Sequence, residues 1–434
     1  MKYMFVSVND LEKGQLHPVV RKLMLVNAVR SVGQGMMIVV LALYLDALGW
    51  STVKIGSVLA AGGLLSVLFA PIIGIISDHV GRKPFVLFSE LLTAGCAFIG
   101  IVSTNPMLLF IAITLSGFGK ADAGSSSPFA PAEQAWLASF IPTNERGKVY
   151  SLNNAISFFG MATGAILIGT ISTGETNLLG VSSYRLAFFF TFAFSFVTTL
   201  IILSIRGEGA NNGKGFRNQE PRDKESVKDE KETIKEENVA IMKLAGINVL
   251  NGIAIGLTGP MMSYWFSVKF GVSINQIGGT LALTFFATGL ISILQAGFSK
   301  RYGTVRSIVL FRYVASLFLI LMPLLPSYAL VSIVYILRTA LNRGTQGAQQ
   351  ALSVSLTRGN RSGFASSINL FSIRLPISIG PSITGYLFGL GALSLPFYIA
   401  SVFQFSFAYL YGRTFRSFDN STKLRTRLGE IRQN

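Results

Sequence analysis

Charged side chains within long apolar segments are the residues of this chain that offer the most chemistry. Arg30 lies eight residues past Lys22, and Glu133 and Asp122 share a later apolar segment. A charge placed among apolar groups costs several kcal/mol, so each of these residues needs a partner or a function. Glu133 lies eight residues before Ile141, which gives it about the same depth as Arg30. Glu133, or alternatively Asp122, is a candidate for gaining and losing a proton. Glu90 and Asp46 lie nearer segment ends and are expected to be wetted.

The second part of the chain has no carboxylate between Glu237 and Asp419, although arginines occur inside its apolar segments. Arginine keeps its charge in proteins, so a counter-charge or neutral acceptors must be supplied. Two interpretations stay open. Arg338, Arg374 and Arg30 hold a carboxylate- or phosphate-bearing ligand, or these arginines bond to carbonyls and extend toward water. Further polar side chains are candidate ligand contacts because they fall at similar depths: Gln34, Gln134, Asn154, Asn251, Tyr264, Gln349 and Asn369.

The elements that must position these residues are long apolar helices. Half of the 434 residues are hydrophobic and 13% are charged, against about 25% in a soluble domain. About 20 apolar residues cross a bilayer as a helix. The pattern predicts an all-α membrane protein with twelve spans, at 19–46, 54–77, 84–103, 107–140, 146–171, 184–205, 239–269, 274–298, 304–325, 328–357, 361–389 and 394–412.

Several function classes are excluded by composition. One cysteine and two histidines argue against a disulfide framework and a histidine-built metal site. We find no nucleotide-binding loop, zinc-binding spacing or nucleophile–histidine pairing, so we expect neither an enzyme nor a cofactor. The net charge of +17 is spread over loops between apolar segments, which argues against a nucleic-acid partner.

The spans divide into two halves joined by a charged segment. We predict an N-terminal segment at 1–18, a six-helix half at 19–205, a linker at 206–238, a second half at 239–412 and a basic tail at 413–434. A short surface helix is expected at 224–237, and glycines with Pro260 are expected to bend span seven. Of the 37 basic residues, 28 fall on the side that the N-terminus occupies, which places both termini in the cytoplasm of a plasma-membrane protein.

The two halves repeat each other in sequence. Gly81-Arg82-Lys83 after span two is echoed by Gly303 and Arg306 after span eight, at a displacement of 222 residues for the glycines. The Glu145-Arg146 loop is echoed around Arg361, and Asn154 and Asn369 share its displacement of 215. Duplicated halves are typical of transporters in which two bundles rock about a central site.

The loop Gly74-x-x-x-Asp78-x-x-Gly81-Arg82-Lys83 between spans two and three, with twelve spans and a central linker, resembles the major facilitator superfamily. The resemblance covers residues 19 to 412. It implies two pseudo-symmetric six-helix bundles, and a cytoplasmic latch formed by the residues of this loop together with Glu145 and Arg146. In the fold of this family spans one and four both line the cavity, so Arg30 and Glu133 are expected to meet, either as a static ion pair or as a site at which Glu133 gains and loses a proton. The span-four arginine of many proton-coupled members is absent, and the antiporter motif of span five is partial.

The resemblance implies a secondary active transporter that moves a small solute by alternating access. The residues around Glu133 and Trp136 are similar to those of drug-efflux and general-solute members, which favours gradient-driven export of a drug-like or amphipathic compound. The intramembrane arginines favour an organic anion or phosphate ester instead. A non-transporting receptor on the same fold is a further alternative. The expected partners are the solute, the bilayer and protons, and the chain is expected to be monomeric.

Overall fold

The structure, a computed structural model, describes residues 17–119, 128–141, 146–171, 181–205, 224–355 and 362–431. The regular structure of these residues is helical. The helices are α1 (Pro18–Ala47), α2 (Thr52–Val80), α3 (Arg82–Val102), α4 (Pro106–Ser116), α5 (Ala130–Ala138), α6 (Arg146–Ile171), α7 (Val181–Leu203), α8 (Lys224–Thr258), α9 (Met262–Phe270), α10 (Ile274–Tyr302), α11 (Thr304–Leu321), α12 (Tyr328–Gly344), α13 (Gln346–Ser355), α14 (Ser362–Gly389) and α15 (Leu395–Ile431).

Each of the twelve predicted spans coincides with one helix or with a pair of consecutive helices. In the part of the chain that the structure describes, eight helices are long and apolar enough to cross a membrane by themselves. Spans four, seven and ten are each built from two helices: α4 with α5, α8 with α9, and α12 with α13. The arrangement is consistent with twelve crossings.

Glycine and proline place two of these breaks. The bend predicted for span seven is confirmed, since α8 ends just before Gly259 and Pro260 and α9 begins at Met262. Gly117 ends α4 in the left-handed conformation, with φ of +68°.

Two helices extend beyond their predicted spans. Helix α8 begins at Lys224, so the expected surface helix runs directly into span seven and the predicted boundary at residue 238 falls inside a helix. The segment from Lys224 to Lys243 contains neither glycine nor proline and is rich in Glu and Lys, which are good helix formers. Helix α15 likewise continues to Ile431.

The internal repeat is visible in backbone geometry. Gly81 (φ +109°, ψ 148°) precedes α3, and Gly303 (φ +100°, ψ 147°) precedes α11. These positive φ values favour glycine at both repeats of the loop. The displacement of 222 residues between the two halves is therefore confirmed at this loop.

The same repeat is seen in two asparagine pairs, each of which joins the first span of a half to its fifth span. Asn27 Nδ2 donates to Asn153 Oδ1 at 2.9 Å, and Asn248 Nδ2 donates to Asn369 Oδ1 at 2.6 Å. The sequence pairing of Asn154 with Asn369 was wrong by one residue, because Asn153 makes the equivalent contact. A displacement read from loops need not hold inside the helices they join.

Among the described residues, the large buried apolar cluster that contains both halves lies toward one end of the bundle. We call the end at which α7 finishes and α3 begins the linker end, and the other the opposite end. The largest cluster of buried apolar residues includes Tyr44 and Phe188 of the first half with Trp265 and Phe397 of the second, toward the opposite end. At the linker end, separate clusters form within the first half (around Leu23) and within the second (around Leu244).

Candidate functional site

A buried ionic cluster lies in the core of the first half. Arg30 on α1 donates from Nη1 to Glu90 Oε1 at 2.8 Å and from Nη2 to Glu133 Oε1 at 2.6 Å. The second oxygen of Glu90 accepts from the Thr198 hydroxyl at 2.6 Å. We call these four residues the Arg30 cluster. Two carboxylates share one guanidinium, so the cluster carries one excess negative charge when both are ionised.

The contact predicted between Arg30 and Glu133 is confirmed. The expectation that Glu90 is wetted was wrong, since this residue is 1% exposed. Glu90 lies only about two turns from the start of α3, but α3 packs on α7 and turns this side chain inward toward Thr198. Counting residues from a loop gives depth along a helix and leaves the face undetermined. Asp46 is exposed, as expected.

The second half holds a corresponding cluster built around an arginine. Arg312 on α11 donates from Nη1 to Asn251 Oδ1 and to Asn342 Oδ1, both at 2.7 Å, and from Nε to Thr345 Oγ1 at 3.2 Å. Its guanidinium carbon lies 5.1 Å from the ring centre of Phe407. Asn251, a predicted ligand contact, is thus engaged by Arg312.

Repeat geometry relates the two clusters and reveals an exchange of charge. Glu90 and Arg312 are 222 residues apart, the same displacement that relates Gly81 to Gly303 before the helices that carry them. Helix α3, the third span of the first half, thus contributes a carboxylate at the position where α11, the third span of the second half, contributes a guanidinium.

Arg338 and Arg374, both predicted ligand contacts, lie in different surroundings. Arg338 on α12 is 5% exposed, and its Nη2 donates to Thr258 Oγ1 at 3.2 Å. Arg374 on α14 is half-buried and, together with Arg343, lines a cavity between the two halves. Neither Arg30 nor Arg338 is among the residues that line this cavity. The sequence therefore identified one of its two arginines.

This central cavity lies where α2 of the first half meets α8, α12 and α14 of the second. It encloses about 650 Å³ of unfilled space, part of it open to solvent. Its walls are formed by small or apolar residues, two serines and the two arginines: Leu59, Gly63, Ser66, Val67, Gly119, Ile255, Gly259, Pro260, Arg343, Arg374, Ile377, Ser378 and Pro381. Both serine hydroxyls donate to carbonyls of their own helices, so the arginines are the strongest polar groups in the described wall. This wall contains no carboxylate in the described residues.

A second cavity lies within the first half beside Arg30. Its lining includes Gln34, a predicted ligand contact, and the hydroxyl groups of five residues contributed by α3, α4 and α7: Ser89, Thr93, Ser116, Thr191 and Ser195. A lining of this kind can hydrogen-bond water, and Arg30 connects it to the buried carboxylates.

The remaining predicted ligand side chains are spread over the bundle. Gln134 is exposed and Asn154 is half-buried. Tyr264 is buried in the large apolar cluster. Gln349 Nε2 donates to Thr345 Oγ1 at 2.9 Å beside the Arg312 cluster. Asp122 lies outside the described residues. These side chains therefore do not form one common site.

Arg82 and Lys83, the cations of the loop that follows span two, bind helix ends within the first half. Arg82 Nη1 donates to the carbonyl of Ala135 at 2.7 Å, near the end of α5. Lys83 Nζ donates to the carbonyl of Ile205 at 2.5 Å, just after α7. The last carbonyls of a helix lack partners inside it, and cations stabilise its negative end. The loop thus ties the start of α3 to the ends of spans four and six.

Other members of the predicted latch are only partly described. A side chain at Gly74 would contact Pro131 at 3.6 Å, so this glycine lets α2 approach α5. The side chains of Asp78 and Arg146, and the whole of Glu145, lie outside the described part of the chain.

Comparison with known proteins agrees with this architecture, which is that of a membrane transporter with two helical halves. The family model of the Major Facilitator Superfamily matches residues 23–241, just over half of the chain. The chain belongs to the major facilitator superfamily. It is therefore a multi-pass membrane transporter rather than an enzyme.

Individual relatives are distant. The chain is 24% identical to Multidrug resistance protein 1 of Bacillus subtilis over 381 residues, which is 85% of this chain and 89% of that protein. It is 25% identical to an uncharacterized membrane protein of Saccharomyces cerevisiae over 326 residues, 68% of this chain and 71% of that protein. A crystal structure of a mutant of the nucleoside transporter NupG has a TM-score of 0.69 at 13% identity, covering 92% of this chain and 100% of that one.

Proposed function

We propose that this chain transports an amphipathic organic anion through the central cavity by alternating access. The observation that carries the proposal is the wall of that cavity, where Arg343 and Arg374 stand among small and apolar residues. A guanidinium binds carboxylates and phosphates through directional, charge-assisted hydrogen bonds. Apolar walls such as those of Ile255 and Ile377 favour the hydrocarbon part of the same molecule.

Proton exchange at the Arg30 cluster is the proposed coupling step. With both carboxylates ionised the cluster has one excess negative charge, and uptake of one proton by Glu133 or Glu90 neutralises it. The hydroxyl-lined cavity beside Arg30 supports access of water to this site. A buried carboxylate that gains a proton weakens its hold on Arg30, which frees α1 to move relative to α3 and α5.

Loading is proposed from the linker end, which we assign to the cytoplasm. Packing that includes both halves lies toward the opposite end, whereas each half keeps its own apolar cluster at the linker end. The excess of basic residues on the linker side supports the assignment of both termini to the cytoplasm. The loop from Gly74 to Lys83, with Glu145 and Arg146, is the proposed latch for the state in which this end closes.

Export of neutral or cationic drug-like compounds is the second candidate. It is favoured by the name of the Bacillus subtilis relative and by the apolar share of the cavity wall. The two candidates differ in whether a negative group on the solute matters.

Reconstituted protein distinguishes the two candidates. Counterflow is measured in proteoliposomes with a naphthyl carboxylate and with its neutral amide. Arg374→Gln is expected to reduce carboxylate transport by about 10- to 100-fold, the value of one charged hydrogen bond, and to leave amide transport near the wild-type rate. Arg413→Gln, which changes an exposed arginine on α15, is the matched control. Equal rates for both solutes in wild type and variant would reject the anion proposal in favour of the second candidate.

The coupling step has its own test. Glu133→Gln and Glu90→Gln are expected to flatten the dependence of transport on pH. Full pH dependence in both variants would remove the Arg30 cluster from coupling.

A further inference from the structure

The core of the second half contains two buried arginines, and no carboxylate among the described residues pairs with either of them. Arg312 has no exposed surface and Arg338 is 5% exposed. Asn342 connects the two, since it lies one turn from Arg338 on α12 and accepts from Arg312 Nη1 at 2.7 Å. The sequence has no Asp or Glu from residue 238 to 418, and Asp419 already accepts from two backbone N–H groups at the start of α11. Two like charges in an apolar core are strongly unfavourable unless an anion balances them.

Three N–H donors in this core have no acceptor among the described residues. They are Arg312 Nη2, Arg338 Nε and Asn342 Nδ2, all buried. Arg338 and Asn342 lie one turn apart on the same face of α12. Asn342 also touches Arg312 through its other amide atom, at 2.7 Å from Nη1. Buried donors are nearly always satisfied, so a group of three calls for an acceptor that the side chains do not supply.

The first half solves the equivalent problem with protein groups. There Arg30 meets two carboxylates, at 2.8 and 2.6 Å. In the second half the neutral Asn251 and Asn342 accept from the buried arginine instead. Neutral amide side chains in the second half therefore take the place that carboxylates have around Arg30 in the first half.

We infer that the second half binds a small monovalent anion of the size of chloride among Arg312, Arg338 and Asn342. The site offers N–H donors and an excess of positive charge, which is the chemistry of anion binding. Because all three donors are buried, a monatomic ion suits them better than the larger solute of the central cavity. The anion serves as the counter-charge that keeps α11 and α12 packed around Arg312.

Binding and stability measurements on the purified full-length protein test this inference. Radiolabelled chloride binding is measured in detergent, and the melting temperature is compared in sodium chloride and sodium gluconate at equal ionic strength. Wild type is expected to bind one chloride per chain saturably and to melt at a higher temperature in chloride. Arg338→Gln is expected to bind chloride about tenfold more weakly or less.

Asn342→Asp is the decisive variant because it supplies the missing counter-charge from within the protein. It places a carboxylate 2.7 Å from Arg312 with almost no change of shape. It is expected to lose chloride binding and to melt in gluconate at least as high as wild type does in chloride. Arg413→Ala, at an exposed arginine of the same half, should keep both wild-type properties.

Several results would overturn the inference. They are no saturable chloride binding by wild type, equal melting temperatures in the two salts, or wild-type chloride affinity in Asn342→Asp. Lower stability of Asn342→Asp than of wild type in gluconate would also contradict it. Transport is not measured in these experiments, so their failure leaves the proposed function untouched.

Discussion

The Arg30 cluster makes a prediction about the order of stability among three variants. Arg30→Met leaves Glu90 and Glu133 buried near each other without their cation. Glu133→Gln or Glu90→Gln instead leaves one carboxylate facing Arg30, a pair with no net charge. Removing the single cation should therefore destabilise the protein more than removing either anion.

Magnitudes follow from the contacts. Removal of one partner from a buried ion pair costs about 3–5 kcal/mol, which is the expected effect of Arg30→Met. Glu90 is 1% exposed and accepts two short hydrogen bonds, from Arg30 at 2.8 Å and from Thr198 at 2.6 Å. Neutralising it weakens both, and about 1.5–3 kcal/mol is expected for Glu90→Gln. Glu133→Gln should lower the free energy of unfolding by less than Glu90→Gln, because the described side-chain hydrogen bond of the Glu133 carboxylate is the one from Arg30.

The single cysteine provides the assay. Cys96 is 3% exposed, so a thiol-reactive fluorescent dye reports its exposure when the purified protein unfolds. The melting temperature should fall in the order wild type, Glu133→Gln, Glu90→Gln, Arg30→Met. If Arg30→Met melted no lower than Glu133→Gln, the two carboxylates could not depend on Arg30 as their shared counter-charge, and the reasoning would fail.

Two further predictions concern packing in the second half. Gly303→Ala should destabilise the protein more than Gly81→Ala. Both glycines have positive φ, so about 1–3 kcal/mol of backbone strain is expected at each position. A side chain at Gly303 would also lie 2.6 Å from Asp419 Oδ2, whereas nothing lies within 4 Å at Gly81, and equal melting temperatures of the two variants would contradict the prediction. Trp265→Phe removes the 2.9 Å hydrogen bond to the Leu393 carbonyl and should cost about 1–3 kcal/mol, measured by the same melting assay.

The positions of the spans could be predicted because each needs about 20 apolar residues and because charged loops interrupt them. Arg30 and Glu133 could be paired because they lie at equal depth along their spans and because the family resemblance implies that both spans line the cavity. The break in span seven followed from Gly259 and Pro260, which do not continue a helix. These features depend on local sequence and on distance along a helix.

Features that depend on the direction in which a side chain points around its helix axis could not be predicted in this way. Arg338 and Arg343 are five residues apart on α12, yet Arg343 lines the central cavity and Arg338 contacts Thr258. Glu90 was misplaced for the same reason. Rotation of a helix about its axis is set by packing against neighbours such as α7, and counting residues from a loop does not determine it.

Two halves that rock about a shared cavity must separate at the opposite end of the bundle, and a reversible cross-link at that end prevents this motion. A side chain at Gly169 on α6 would lie 3.5 Å from the Asn275 Cα on α10, at the opposite end of the bundle. Cysteines are placed at these two positions in a Cys96→Ala background, and counterflow is measured in proteoliposomes before oxidation, after oxidation and after reduction. The disulfide is expected to abolish transport, and reduction is expected to restore it. A fully cross-linked protein that transports at the uncross-linked rate would contradict this expectation.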